Sequence, residues 1–299
     1  MTFNLLNLED ESGYQQWRTQ KMRAYENNAH MHLLDIDGSV PTRQEQAEIL
    51  SAIAKFNYVI YSVKNPRNGT KHFVRETGLL LGLAHLDGNL CSDEDNITSI
   101  QVKTSGRHTG YIPYTSKPLT WHTDGYYNKS EQTIRAMVLH CVRPAKSGGE
   151  NLMLDHEMAY IQLRDENPQY IQAFMQVDAL TIPPNIENGK TIRGAQSGPV
   201  FSLDSSSQTL HMRYSARTRN IEWKDDAPTQ EAVDCMKSLL NENNPYVITY
   251  RMQAGEGIIA NNVLHNRRAF VDAEVENEKR LLYRARYYDR VGEVVSRKS

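Results

Sequence analysis

The chain has little cysteine, no long apolar run and no surplus of either charge, and each shortage removes a class of protein. Cys91, Cys141 and Cys235 are the only cysteines in 299 residues. They are too few and too unpatterned for a disulfide framework or a thiolate zinc site, so ordinary buried or half-buried thiols in a reducing compartment are expected. No apolar stretch approaches the roughly 20 residues of a membrane span. The opening MTFNLLNLEDESG lacks the basic-then-apolar layout of a signal peptide, which makes a cytoplasmic protein the default expectation. Lys and Arg number 34 against 36 Asp and Glu, a formal charge of -2. No basic patch offers a footprint for nucleic acid or an anionic membrane. The expected partner is a small-molecule substrate or another protein, and a homo-oligomer is compatible with everything in the sequence.

Internal repeats, low-complexity segments and Pro/Gly/Ser linkers are also missing, so nothing marks a domain boundary. One domain over 1–299 is expected, with a helical front region carrying short strands at 1–96 and a β core at 97–290. Ser12 to about Asn28 reads as helix, as does PTRQEQAEILSAIAKFN, where Pro41 and Thr42 suit a helix start. A strand, YVIYSV, follows at Tyr58, and then a Leu-rich helix before His85.

From Ile97 the pieces become strand-sized: ITSIQV, LTWHTD, TIRAMVLHCV, NLMLD, PVFSL, TLHMRY, YVITYRM, GIIANNVLH and RLLYRARYY. Two helical insertions interrupt them, HEMAYIQLRDENPQYIQAFMQ and TQEAVDCMKSLLNEN. Short strands with helices gathered at the front and in an insert predict an α+β protein built on a β-sandwich or jelly roll.

The stretch WHTDGYYN sets His122 and Asp124 two residues apart, so on a strand they share a face while Thr123 points away. Such a pair is either a buried ion pair or two ligands of a metal. A third ligand would come from a distant strand. His265, after the Gly255-Glu256-Gly257 turn and an apolar strand, is one candidate, and His211 in TLHMRY is its strongest rival. Two imidazoles and one carboxylate leave several coordination positions open, the facial arrangement of oxygen-activating Fe(II) enzymes. Zinc more often takes a closed tetrahedral set. In EKRLLYRARYYDR, alternation puts Arg280, Leu282, Arg284, Arg286 and Tyr288 on one face. Arginines facing inward need anions to meet them, and a dicarboxylate cosubstrate held at one end by the metal would supply them. The competing reading is a strand with its arginines in solvent.

WHTD, SGGEN at Ser147 to Asn151, ANNVLHNRRAF and KRLLYRARY together resemble the Fe(II)/2-oxoglutarate-dependent dioxygenases of the taurine dioxygenase and clavaminate synthase-like superfamily, from about Ile97 to Arg290. The resemblance implies a double-stranded β-helix (jelly roll) core with flanking N-terminal helices and a helical insert. It implies that His122, Asp124 and His265 hold the iron and that Arg280 binds the far carboxylate of 2-oxoglutarate. Asn151 falls where many members carry a threonine that touches the same carboxylate. Arg284 matches a position that in several members meets an anionic group of the substrate. The cofactors implied are Fe(II), 2-oxoglutarate and O2, and the reaction is hydroxylation of an unactivated C–H bond with release of succinate and CO2. Halogenating members lack the carboxylate at the position of Asp124, so its presence argues against halogenation.

Tyr126 and Tyr127 follow the metal motif, and Tyr111 and Tyr114 precede it. Loops at the mouth of a barrel shape its pocket. Two substrate classes are therefore expected to compete: a carboxylate-bearing or amino-acid-like molecule paired with Arg284, or a quaternary ammonium of the betaine kind cradled by tyrosines. A different class also remains, a cupin-like metal-dependent isomerase or binding protein that uses no 2-oxoglutarate.

Overall fold

A computed structural model describes residues 4–88, 93–103, 111–187, 189–204 and 207–292. Cys91 lies outside them. The larger sheet has six strands in the order Leu33–Ile36, Tyr58–Val63, Glu256–Ala260, Ala136–Arg143, Leu281–Tyr287 and Thr98–Ile100. Only the first pair is parallel; the others run antiparallel. The smaller sheet is antiparallel with four strands, in the order Ile248–Tyr250, Asn151–Leu154, Leu264–Arg267 and Leu119–His122. The front region thus gives the larger sheet two strands as well as its helices.

Period-two alternation divides the apolar residues of the larger sheet between two cores. Ile60, Met137, Leu139, Ile258 and Leu282 turn toward the smaller sheet, where they join one cluster with Leu152, Met153 and Leu264. Val59, Tyr61, Val138, Ile259, Ala285 and Tyr287 turn the other way, onto Ile49 and Ile53 of the helix Arg43–Phe56 and Phe73 and Val74 of the helix Lys71–Leu80. Arg43–Phe56 begins at a capping box in which Thr42 accepts from the Glu45 amide and Glu45 accepts from the Thr42 amide. It ends at Asn57 in the left-handed region, φ 58°. Helices His156–Glu166, Pro168–Phe174 and Ala227–Leu239 pack on one another, and the first also on the strand Leu210–Met212, with Tyr160, Phe174 and Met236 buried in the same core cluster as the smaller sheet.

Two expected elements come out divided. HEMAYIQLRDENPQYIQAFMQ forms two helices, because Pro168 has no amide to continue the first and the Asn167 side chain caps the second by accepting from the Gln169 amide. GIIANNVLH, expected as one strand, is two strands in opposite sheets, Glu256–Ala260 and Leu264–Arg267. Between them Asn262 adopts φ 50°, and the left-handed residue turns the chain from one sheet into the other. That crossing carries His265 to the smaller sheet.

Candidate active site

The smaller sheet sets His265 directly opposite His122 in register, with their ring centroids 4.3 Å apart. The strand Leu119–His122 ends at the first histidine, and Asp124 follows in the turn. Donor atoms of His122, Asp124 and His265 all lie within 4.8 Å of one another, the one such grouping among the described residues. His122 Nδ1 lies 2.8 Å from the Thr120 carbonyl and His265 Nδ1 lies 2.9 Å from that of Val263. A carbonyl only accepts, so Nδ1 carries the proton in both rings and the Nε2 lone pairs are free to ligate. Asp124 Oδ1 is 3.7 Å from His122 Nε2, while its buried Oδ2 has no hydrogen-bond partner. Two neutral imidazoles and a carboxylate with an unused oxygen suit a divalent ion with open positions.

Electrostatics keeps the Asp124 carboxylate and the His122 imidazole deprotonated. Burial alone would push the Asp124 carboxyl up, but Arg284 first, then Arg286, His265 and His122, hold it well below the usual carboxylate range. Burial, and then the neighbouring His265, pull His122 down to about 3 against the opposing attraction of Asp124. His211 is elsewhere. It stands on a hairpin with Ser202 opposite, among His156, Arg290, Arg135 and Asp204, and burial pulls it down to about 3. The structure therefore separates the rival from the metal-capable cluster.

The Asp124 turn is held from both sides. Asn262 Oδ1 accepts from the Asp124 amide at 2.7 Å, and Asn262 Nδ2 donates to the carbonyls of Asp124 at 2.9 Å and Ile134 at 2.7 Å. Thr123 points the other way, exchanging hydrogen bonds with Tyr214 through its amide and hydroxyl. Sequence reasoning missed Asn262 because its partners are far away in the chain.

A cleft of about 550 Å³ opens between the sheets beside His122 and His265. Apolar walls come from Met137, Leu139, Met153 and Leu282, and polar groups from Asn151, Arg267, Arg280 and Arg284. The inward arginine face is as expected, with Leu282 beside Arg280 and Arg284 while Ala285 and Tyr287 point into the opposite core. Arg280 is buried, and burial pulls it down to about 10. Among the described residues no carboxylate accepts from its guanidinium. Asn151 is buried, with Nδ2 unpartnered. Arg284 reaches to 3.7 Å from Asp124 Oδ1, with its Nε buried and unpartnered.

Tyr126 and Tyr127 stand beside the metal set, with the Tyr126 ring 6.4 Å from that of His122. Both hydroxyls face cations: Arg217 donates to Tyr126 at 3.3 Å and Arg286 to Tyr127 at 3.1 Å. Arg286 also pairs with Asp87, whose other oxygen accepts from Tyr288. Tyr114 is buried and Tyr111 exposed.

A family model described as "Taurine catabolism dioxygenase TauD, TfdA family" matches residues 35–286, so the chain belongs to that family. It is a 2-oxoglutarate-dependent dioxygenase, and its cofactors are Fe(II), 2-oxoglutarate and O2. The alternative of a cupin-like isomerase or binder without 2-oxoglutarate is thereby overturned. The chain is 24% identical over 197 residues to a uridine-5'-phosphate dioxygenase of Amycolatopsis sp, covering 64% of this chain and 67% of that one. It is 28% identical over 188 residues to another from Streptomyces sp, covering 60% and 65%, just under two thirds of the second relative's length. An asparagine oxygenase in complex with Fe(II), 3-hydroxyasparagine and succinate superposes with TM-score 0.56 at 14% identity, over 95% of this chain and 88% of that one. The non-heme iron oxygenase OrfP, in complex with Fe and α-ketoglutaric acid, superposes with TM-score 0.56 at 14% identity, over 82% and 80%. At such identities the structural likeness speaks for the fold alone. Among the described residues no helix is long and apolar enough to cross a membrane.

Proposed function

We propose that this dioxygenase hydroxylates a C–H bond of a small anionic substrate, with His122, Asp124 and His265 holding Fe(II). The observation that carries the reading is the convergence of their donor atoms within 4.8 Å at the edge of a cleft where, among the described residues, the Arg267 and Arg280 guanidiniums have no carboxylate partner. The two facing sheets are read as the halves of a double-stranded β-helix, and the whole chain as one dioxygenase unit. Bound there, the iron with 2-oxoglutarate and O2 supplies the oxidation, releasing succinate and CO2. The chain's own residues position and shield the reactants. Arg280 receives the far carboxylate of 2-oxoglutarate in a bidentate fork, with the free Asn151 amide as a second donor. Met137, Leu139, Met153 and Leu282 keep water from its methylenes.

Arg284 receives an anionic group of the substrate beside Asp124. A carboxylate-bearing, amino-acid-like molecule satisfies it, and so does a phosphate, which the two relatives named for uridine 5'-phosphate favour. The quaternary-ammonium reading is set aside. Arg217 and Arg286 already donate to the tyrosine hydroxyls meant to cradle it, and a second cation among them would be repelled.

The test is thermal unfolding with Mn(II), which binds without turnover. Mn(II) should stabilise the wild type, 2-oxoglutarate should stabilise the Mn(II) form further, and Asp124→Ala should abolish both shifts. Undiminished shifts in Asp124→Ala and His122→Ala would refute the assignment. Stimulated succinate release across amino acids, nucleoside monophosphates and sulfonates then identifies the substrate.

A further inference from the structure

Arg267 lies two residues beyond His265 on the same strand, is buried, and lines the cleft beside Arg280. Its guanidinium makes no carboxylate pair among the described residues. It donates to three carbonyls of one loop, Pro113 at 3.2 Å, Thr115 at 2.8 Å and Lys117. That loop leads into the strand bearing His122, and Pro113 forms part of the cleft wall. The Arg267 guanidinium also lies 5.0 Å from the centroid of the Phe270 ring, and the Arg280 guanidinium lies 4.9 Å from the same centroid. Phe270 is fixed in turn by its amide on the Ser116 carbonyl and by its pairing with Gly148. Two buried cations therefore share one aromatic ring.

We propose that Arg267 is a positioning residue for the cosubstrate: it pins the 113–117 loop and, through Phe270, sets the direction of the Arg280 guanidinium. The three carbonyls are met from two separate nitrogens of one planar fork, a span that the single nitrogen of an ammonium does not reproduce. The crowding of the two guanidiniums is unfavourable until a dianion arrives at Arg280, so the arrangement favours a dicarboxylate over a neutral ligand. The inference rests on the proposed role of Arg280.

The experiment measures 2-oxoglutarate binding by calorimetry to the Mn(II)-loaded protein, for wild type, Arg267→Lys, Phe270→Leu and Arg280→Gln. Arg267→Lys keeps the charge and loses the fork. It should weaken 2-oxoglutarate by about tenfold or more while Mn(II) affinity stays within about threefold, because the fault lies with the anchor and not with the metal ligands. Phe270→Leu leaves the loop bonds in place and should weaken 2-oxoglutarate by a smaller factor, which keeps the inference testable if the arginine variant does not fold. Arg267→Lys within about twofold of wild type, while Arg280→Gln abolishes binding, overturns the role of Arg267 alone. Binding undiminished in Arg280→Gln overturns both.

Discussion

Asn262 joins the two sheets and grips the backbone of Asp124, so its replacement should damage fold and site together. Asn262→Gly keeps the left-handed turn without steric cost and deletes three buried hydrogen bonds. At about 1 kcal/mol net for each, the loss is ~3 kcal/mol, a large part of the 5–15 kcal/mol typical of a folded domain. Asn262→Ala deletes the same bonds and forces a Cβ into a region that costs about 1–2 kcal/mol. Glycine's looser unfolded chain offsets part of that difference, so alanine should be the worse of the two by no more than ~1 kcal/mol. Urea unfolding monitored by circular dichroism gives both values. Because the Asp124 amide and carbonyl lose their tether, Mn(II) affinity should also fall by about tenfold, read as a smaller thermal shift. If both variants unfold within ~0.5 kcal/mol of wild type, the bonds contribute less than buried amides and carbonyls should, and the clamp is refuted. Lost stability with unchanged Mn(II) affinity would show that the turn serves the fold alone.

Arg284→Gln should raise the substrate concentration needed for half-maximal succinate release by about tenfold or more; an unchanged value would sink the anion assignment. Gly257→Ala would place a Cβ 2.3 Å from the Tyr61 ring and 2.5 Å from the Leu139 carbonyl, so a loss of about 1–3 kcal/mol in chemical unfolding is expected. Burial pulls His140 down to about 4, against ~6.5 in the unfolded chain. The unfolded state thus binds a proton that the fold refuses: the stability is fully present above pH ~6.5 and declines as pH falls toward 4, by up to ~3 kcal/mol. His140→Gln should flatten the slope of unfolding free energy in that window, and an identical slope in wild type and variant would contradict it.

The parts of the site legible in the sequence obey a local period. His122 and Asp124 flank Thr123 where the strand Leu119–His122 gives way to a turn, and Arg280, Leu282 and Arg284 alternate into and along the strand Leu281–Tyr287, so the local alternation shows which residues share a face. The third histidine was not legible on that ground, since His211 and His265 both sit on short strands and only strand pairing sends one to His122 and the other to a distant hairpin. Asn262 was hidden in an apparently continuous strand, because a polar residue at a turn between sheets carries no local signature and its partners lie at positions 124 and 134. Asp87 was equally hidden, as a loop carboxylate whose partner, Arg286, is brought by the last strand of the larger sheet. Arg267 stood in a quoted motif, yet its work is done on carbonyls, which no side-chain pattern reveals.

The strand Tyr58–Val63 finds its antiparallel partner in Glu256–Ala260, with Tyr58 opposite Ala260, about 200 residues later in the chain. At the 5–20 residues per second of synthesis, its apolar edge waits roughly 10–40 s on the ribosome before that partner has been made. Leu33–Ile36, made earlier, covers the opposite edge and leaves this one open. The nascent protein is therefore vulnerable to aggregation longest at its early β segment, and slowed translation or chaperone depletion should lower the yield of this enzyme well before any change in its finished stability could be measured.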